Sequence, residues 1–311
     1  MTDPARPRDC IIMLTHRWDA RLAKHYARLK REAGKIAPVF LAYQLCDTMD
    51  PPNDVPFDTL VRLADSASLF PARHAAHAAR GSATVKGYVD LIWLSVFLQP
   101  KFADFDRFWL VEYDVDFSGD WALFFGEAAR FEGDLLVSHL RTRQNHLDWN
   151  ILRKVTDPLD SPGDHLIGFM PVSRFTRPLV DYFQRELSVQ RWRGHFELIL
   201  PTLARRGGFV VSDWGGSGEF TPASRRDRFY EGDFTAGGRG FYTHGYKPPR
   251  AQHYFVESRF GFWATNKIYH PIKTNYPPLG KILRWGQLVR DRLRLRLAHM
   301  LGREPRLKGP R

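Results

Sequence analysis

Three acids stand at alternate positions near the end of one apolar segment: Glu112, Asp114 and Asp116, within Trp109-Leu-Val-Glu-Tyr-Asp-Val-Asp-Phe-Ser-Gly119. Side chains on a strand alternate between faces, so on a strand these acids share one face. Carboxylates this close repel one another. The arrangement is tolerable where the strand end meets solvent or a cation neutralises the group. In open α/β sheets, ligands sit beyond the carboxyl ends of the strands. Two aspartates one residue apart at such an end, Asp114 and Asp116, offer hard oxygens suited to Mg²⁺ or Mn²⁺. The other reading is a solvated strand-to-turn junction, with Asp120 capping the helix that follows.

The elements that must hold these acids alternate strand and helix. Residues 10–15 are a short apolar run, predicted as a buried first strand. Residues 19–33 show helical spacing, with Leu22, Tyr26 and Leu29 on one face and Gly34 as the stop. Residues 38–45 form a second apolar run, and 47–57 read as a loop. A helix is predicted over 83–99, a central strand over 108–116, a short helix over 121–131 and a strand over 134–139. The second half is less regular: a strand over 165–172, helices over 177–187 and 195–206, a strand over 209–212. Residues 232–246 are too rich in glycine to pack as a regular element. This pattern predicts an α/β fold, a single domain over 9–280 with a mixed central sheet flanked by helices. Residues 1–8 read as an unstructured leader and 281–311 as a basic helical extension.

Composition narrows the class. The chain has 311 residues, 43% hydrophobic and 14% aromatic, which is the balance of a globular protein. No apolar run is long enough to span a bilayer, and the first residues lack the apolar core of a secretory signal. Two cysteines, Cys10 and Cys46, make neither a disulfide framework nor a zinc cluster, so the expected setting is cytoplasmic. The net charge is +12, but residues 281–311 hold ten Lys and Arg against two acids. The body of the chain is therefore only mildly basic.

A strand ending in Asp-x-Asp within an N-terminal α/β half resembles the nucleotide-sugar-dependent glycosyltransferases of the GT-A fold. The resemblance covers roughly residues 9–275 as an order of elements. It implies a nucleotide-sugar donor, a glycan or lipid-linked acceptor, and Mn²⁺ or Mg²⁺ held by Asp114 and Asp116, with His270 as a further ligand. It implies that the end of the first strand meets the donor, through His16 and Arg17. Asp114 would touch the donor as well, and Lys86 and Lys273 are candidates for its phosphates. Glu197, at a helix start, stands where inverting members carry the base that deprotonates the acceptor hydroxyl, and Asp116 joins it at the reacting centre. Trp192 and Trp214 are candidate acceptor platforms, and the 232–246 loop a lid. A fainter likeness to branching and xylosyl-type transferases, some of them metal-free, leaves the cation open. Each residue also has a plainer reading: Glu197 as a first-turn acid favoured by the helix dipole, His270 as a structural histidine, the cations as surface charges.

Residues 281–301 place Ile282, Trp285, Val289, Leu293, Leu297 and Met300 on one stripe flanked by arginines. That suits an interfacial helix at the inner, anionic face of a membrane, or a last helix packed on the domain. Three rival classes follow: a nucleic-acid binder using the basic tail, an inactive sugar-binding relative, and a nucleotidyltransferase. No nucleic-acid-binding motif is present, and nucleic acid is not the expected partner. The first strand is followed by Thr-His-Arg-Trp and not by the glycine-rich basic loop that nucleotidyl transfer favours.

Overall fold

The computed structural model describes residues 7–45, 47, 49–50, 52–81, 85, 87–142, 162–230, 243–244 and 266–272. The chain opens with β1 (Asp9–Thr15), α1 (Ala20–Ala33), β2 (Val39–Leu45) and β3 (Thr59–Arg62). Three helices follow: α2 (Ser66–Leu69), α3 (Pro71–Ala78) and α4 (Asp90–Phe97). Next come β4 (Arg107–Glu112), β5 (Asp116–Phe117), α5 (Trp121–Ala128) and β6 (Leu135–Thr142). The second half holds β7 (Leu166–Thr176), α6 (Arg177–Val189), α7 (Phe196–Arg206), β8 (Val211–Asp213) and β9 (Ile268–Tyr269).

Seven strands form one mixed sheet in the order β3-β2-β1-β4-β7-β6-β8. Only β7 runs against its neighbours, β4 and β6. The other six therefore bring their carboxyl ends to one edge. After β1 the chain steps outward to β2 and β3, then returns to lay β4 on the other side of β1. That reversal opens a crevice between the ends of β1 and β4, the place where α/β sheets bind ligands.

Strand alternation splits the core into two layers. Cys10, Ile12 and Leu14 of β1 face one side, with residues of α4, α6 and α7. Ile11 and Met13 face the other, with Leu22, Tyr26 and Leu29 of α1 and Trp121, Phe124 and Phe125 of α5. All eight residues of α4 are buried, so it lies sealed beneath other elements. Helix α1 starts where predicted because Asp19 accepts the backbone N–H groups of Arg21 and Leu22 at 2.9 and 3.0 Å. Asp120 caps α5 in the same way, through the Ala122 N–H at 2.8 Å. Cys10 is buried, and its thiol is pushed up by that burial.

Several boundaries differ from the sequence reading. The helix predicted over 83–99 begins only at Asp90, because Gly87 takes a left-handed backbone with φ of 83°. Strand β7 runs on to Thr176, since Arg174 can be buried within it by donating to the carbonyls of Ala128, Phe131 and Gly133. The central strand stops at Glu112, four residues earlier than predicted. There the chain turns, the Val115 N–H bonding the Glu112 carbonyl at 3.1 Å, and restarts as β5 against β9. Residues 1–6 of the 1–8 leader, most of the 232–246 loop and the extension 281–311 lie outside the described residues. Among the described residues, no helix is long and apolar enough to cross a membrane.

Candidate active site

The crevice between β1 and β4 is a cleft of about 380 Å³. Its lining includes Thr15 and His16 at the end of β1, Glu112 at the end of β4, and Asp114, Glu197 and His270. Four of the residues singled out from sequence thus meet in one place: His16, Asp114, Glu197 and His270. Each arrives from a different element. The β4 turn presents Asp114, whose carbonyl accepts the Ile272 N–H at 2.7 Å. The β5–β9 ladder, with Asp116 opposite Tyr269, delivers His270 next to it. The N-terminus of α7 brings Glu197.

Glu112, Asp114 and His270 each offer one ligand atom, and these atoms lie within 4.8 Å of one another. His270 Nε2 is 3.5 Å from Asp114 Oδ1 and 3.7 Å from Glu112 Oε2. Burial disfavours charge on His270, but the two carboxylates overcome this and raise its pKa to about 9. In the metal-free protein the imidazolium therefore neutralises much of the acid pair. Two carboxylate oxygens and one imidazole nitrogen are donors that could hold a divalent cation.

Glu197 sits in the first turn of α7 and is 4% exposed. Burial raises its pKa well above the ordinary carboxylate value, and the nearby Glu112 adds to the rise. A backbone hydrogen bond from Met170 and the charge of His270 pull the other way. His195, the N-cap of α7, holds its Nδ1 3.2 Å from Glu197 Oε2. A buried carboxylate of raised basicity facing a cleft has the properties of a general base.

The remaining sequence-predicted residues fall elsewhere. Asp116 is a correction: it does not join Asp114 as a ligand. Strand alternation ends with the turn at 113–115, and Asp116 is fully buried against α1. Its Oδ1 accepts from Arg28 Nη1 at 2.8 Å and from the Phe117 N–H at 2.7 Å. Asp116 ties the sheet to α1 and has no access to a reacting centre. Glu112, the acid two residues before Asp114, is the one whose carboxylate offers a ligand atom beside those of Asp114 and His270. Trp192 and Trp214 are also corrections, because both are fully buried and neither offers a ring face to an acceptor. Trp214 packs among Phe124, Phe229 and Tyr230 and donates to the Val172 carbonyl at 3.0 Å. His16 is exposed at the rim, edge-on to Tyr113 with centroids 5.0 Å apart. Arg17 lies over the same ring at 5.5 Å and pairs with Asp19 at 3.3 Å. Lys86 and Lys273 lie outside the described residues.

Apart from Trp214, the sequence reading assigned no role to Asp213-Trp-Gly-Gly216, which is linked to the cleft residue His270 through Tyr230, His139 and His244. Asp213 accepts from the N–H groups of Gly215, Gly216 and Leu140 at 2.9, 3.0 and 3.2 Å, and from the Tyr230 hydroxyl at 2.5 Å. A Cβ at position 216 would overlap that hydroxyl, so only glycine fits. The same hydroxyl accepts the His139 N–H at 2.8 Å. His244, bonded to Ser138 Oγ at 2.9 Å, packs its ring 5.6 Å from that of His270. Burial, then the charges of His270 and His139, hold His244 well below the ordinary histidine value.

No family model matches the chain, and no curated protein matches it. Among solved structures, the mannosyltransferase Ktr4p from S. cerevisiae is similar over 68% of this chain and 70% of its own, at 8% identity and a TM-score of 0.34. HddC from Yersinia pseudotuberculosis is similar over 66% and 88%, at 12% identity and a TM-score of 0.30. Core-mannan synthase A from Aspergillus fumigatus, in its Mn/GDP form, is similar over 66% of each chain, at 11% identity and a TM-score of 0.29. At these values any functional reading rests on the cleft alone.

Proposed function

We propose that the chain is an inverting glycosyltransferase that moves a hexose or pentose from a nucleotide-diphosphate donor to a glycan or lipid-linked acceptor. The observation that supports it is the convergence of Glu112, Asp114 and His270 with the buried Glu197 in one cleft at the β1–β4 switch point. Glu112, Asp114 and His270 would hold a divalent cation, Mn²⁺ or Mg²⁺. When bound, that cation supplies positive charge opposite the departing diphosphate.

The chain's own residues do the rest. Transfer breaks the bond from the anomeric carbon to a phosphate oxygen and forms one to the acceptor oxygen. The acceptor hydroxyl has a high pKa, so its proton must leave as the new bond forms. Glu197 takes it, because its carboxylate stands in the cleft at the start of α7. His16 and Arg17, at the end of β1, would receive the donor's nucleotide. Lys86 and Lys273 remain candidates for its phosphates, and the arginine-flanked apolar stripe of 281–301 for an anionic membrane on the cytoplasmic side.

A thermal-shift screen of UDP-, GDP- and dTDP-sugars tests this, each with and without Mn²⁺. A CMP-sugar, with its single phosphate, is the control. One diphosphate donor should raise the melting temperature by on the order of 5 °C at saturation, and only with Mn²⁺. Slow release of its sugar to water should accompany the shift. Absence of any donor-specific, Mn²⁺-dependent shift contradicts the proposal.

A further inference from the structure

We propose that the buried ion pair between Arg73 of α3 and Asp90 of α4 is the positioning device for Glu197. The inference rests on the reading of Glu197 as the base. Both side chains of the pair are fully buried. The guanidinium forks onto the carboxylate, Nε to Oδ2 at 2.9 Å and Nη2 to Oδ1 at 3.1 Å. Among the described residues, its other hydrogen bonds reach Gly87, which lines the cleft, and the segment 192–194 that leads into the cleft residues 195–197. Nη1 donates to the Trp192 carbonyl at 3.2 Å, and Nη2 to the carbonyls of Gly87 and Gly194 at 3.1 and 3.0 Å.

The Gly87 carbonyl is the hinge of the argument. It accepts from Arg73 and also from the N–H of Phe196, at 3.1 Å. Phe196 is the first residue of α7 and Glu197 the second. Tyr88 adds a second stitch: its ring lies 3.9 Å from the Arg73 guanidinium, and its hydroxyl accepts the Gly194 N–H at 3.1 Å. Gly194 and Phe196, both within three residues of Glu197, are thus tied with the wall at Gly87 to one buried cation. Among the described residues, none of these bonds reaches Glu112, Asp114 or His270. The base and the metal triad therefore stand on separate supports.

A buried ion pair is weak evidence for stability, since apolar residues of similar volume often stabilise as well. What a planar fork of donors does better is fix geometry. Displacing a reacting group by about 1 Å can cost roughly 10²-fold in rate.

The test compares Arg73→Lys and Asp90→Asn with the wild-type chain, using the sugar nucleotide found by the screen and Mn²⁺. Lysine keeps the charge and loses the fork. Both variants should lower kcat by roughly 10²-fold, while donor KM and Mn²⁺ affinity stay unchanged. In a Glu197→Gln background, Arg73→Lys should cost less than about twofold, because the group it positions is already gone. An equal loss in both backgrounds, or a parallel loss of Mn²⁺ affinity, overturns the proposal. If either single variant does not fold, the double variant Arg73→Met with Asp90→Leu removes both charges together and must show the same kcat loss. If the wild-type chain turns over no sugar nucleotide, the proposed reaction fails on its own and amide exchange decides the clamp. The Phe196 amide must then exchange at least about tenfold faster in Asp90→Asn while β4 amides keep their rates. Unchanged exchange at Phe196 overturns it.

Discussion

His270 Nε2 lies 3.5 Å from Asp114 Oδ1, at a distance where a proton and a metal ion compete for one place. The pKa of His270 is near 9 in the metal-free protein, against 6.5 for the free side chain. Cation binding at neutral pH must therefore expel that proton. Mn²⁺ affinity should rise about tenfold per pH unit below pH 9 and level off above it. Calorimetry in two buffers of different ionisation heat should show about one proton released at pH 7. The metal-free fold should follow the opposite course. A histidine whose pKa is raised by folding adds stability in full below pH 6.5 and loses it as pH rises through about 9. A pH-independent Mn²⁺ affinity contradicts the assignment of His270.

Asp116 and Asp114 should separate cleanly. Asp116→Ala leaves the buried Arg28 without its Asp116 partner, although Glu32 still accepts from Arg28 Nε at 3.1 Å. Breaking such a pair costs about 3–5 kcal/mol, and Glu32 sets the expectation at the lower end. Urea unfolding should show that loss, with Mn²⁺ affinity of the folded protein unchanged. Asp114→Asn should do the reverse, keeping the fold and weakening Mn²⁺ by more than the 10–100-fold that loss of an outer partner costs. Loss of Mn²⁺ binding in Asp116→Ala, without loss of stability, would restore Asp116 to the metal site.

Trp214 should behave as core. Trp214→Ala leaves a cavity among Phe124, Phe229 and Tyr230 and frees the Val172 carbonyl, so unfolding free energy should fall by about 3–5 kcal/mol. A Trp214→Ala protein of wild-type stability with reduced acceptor binding would make Trp214 a platform after all.

Much of the fold was legible because it rests on local signals. Apolar runs mark β1, β2 and β4, helical spacing over 19–33 marks α1, and Asp120 marks the start of α5. The family resemblance, laid on the order of elements, also singled out Asp114, Glu197, His270 and His16, which the cleft brings together. What failed did so where the local period was interrupted. Alternation places Asp116 with Asp114 only while the strand continues, and the turn at 113–115 breaks it. The pairing of β5 with β9 spans some 150 residues and two residues of each strand, too little to leave a pattern. Helix α3 carries Arg73 and His77 on its buried side, which hides its amphipathicity; Arg73 is buried by its pairing and not by its type. Nothing in a tryptophan's neighbours along the chain tells a core ring from an exposed one.

The central claim is that one cleft divides its labour between a metal triad and a base. Mn²⁺ binding and sugar transfer, measured side by side for wild type, Asp114→Asn and Glu197→Gln, test it most directly. Glu197→Gln should bind Mn²⁺ and donor as wild type does while kcat falls by roughly 10²–10⁴-fold. Asp114→Asn should lose Mn²⁺ affinity and transfer together. Wild-type turnover in Glu197→Gln, or Mn²⁺-dependent transfer of wild-type rate in Asp114→Asn, would contradict the account.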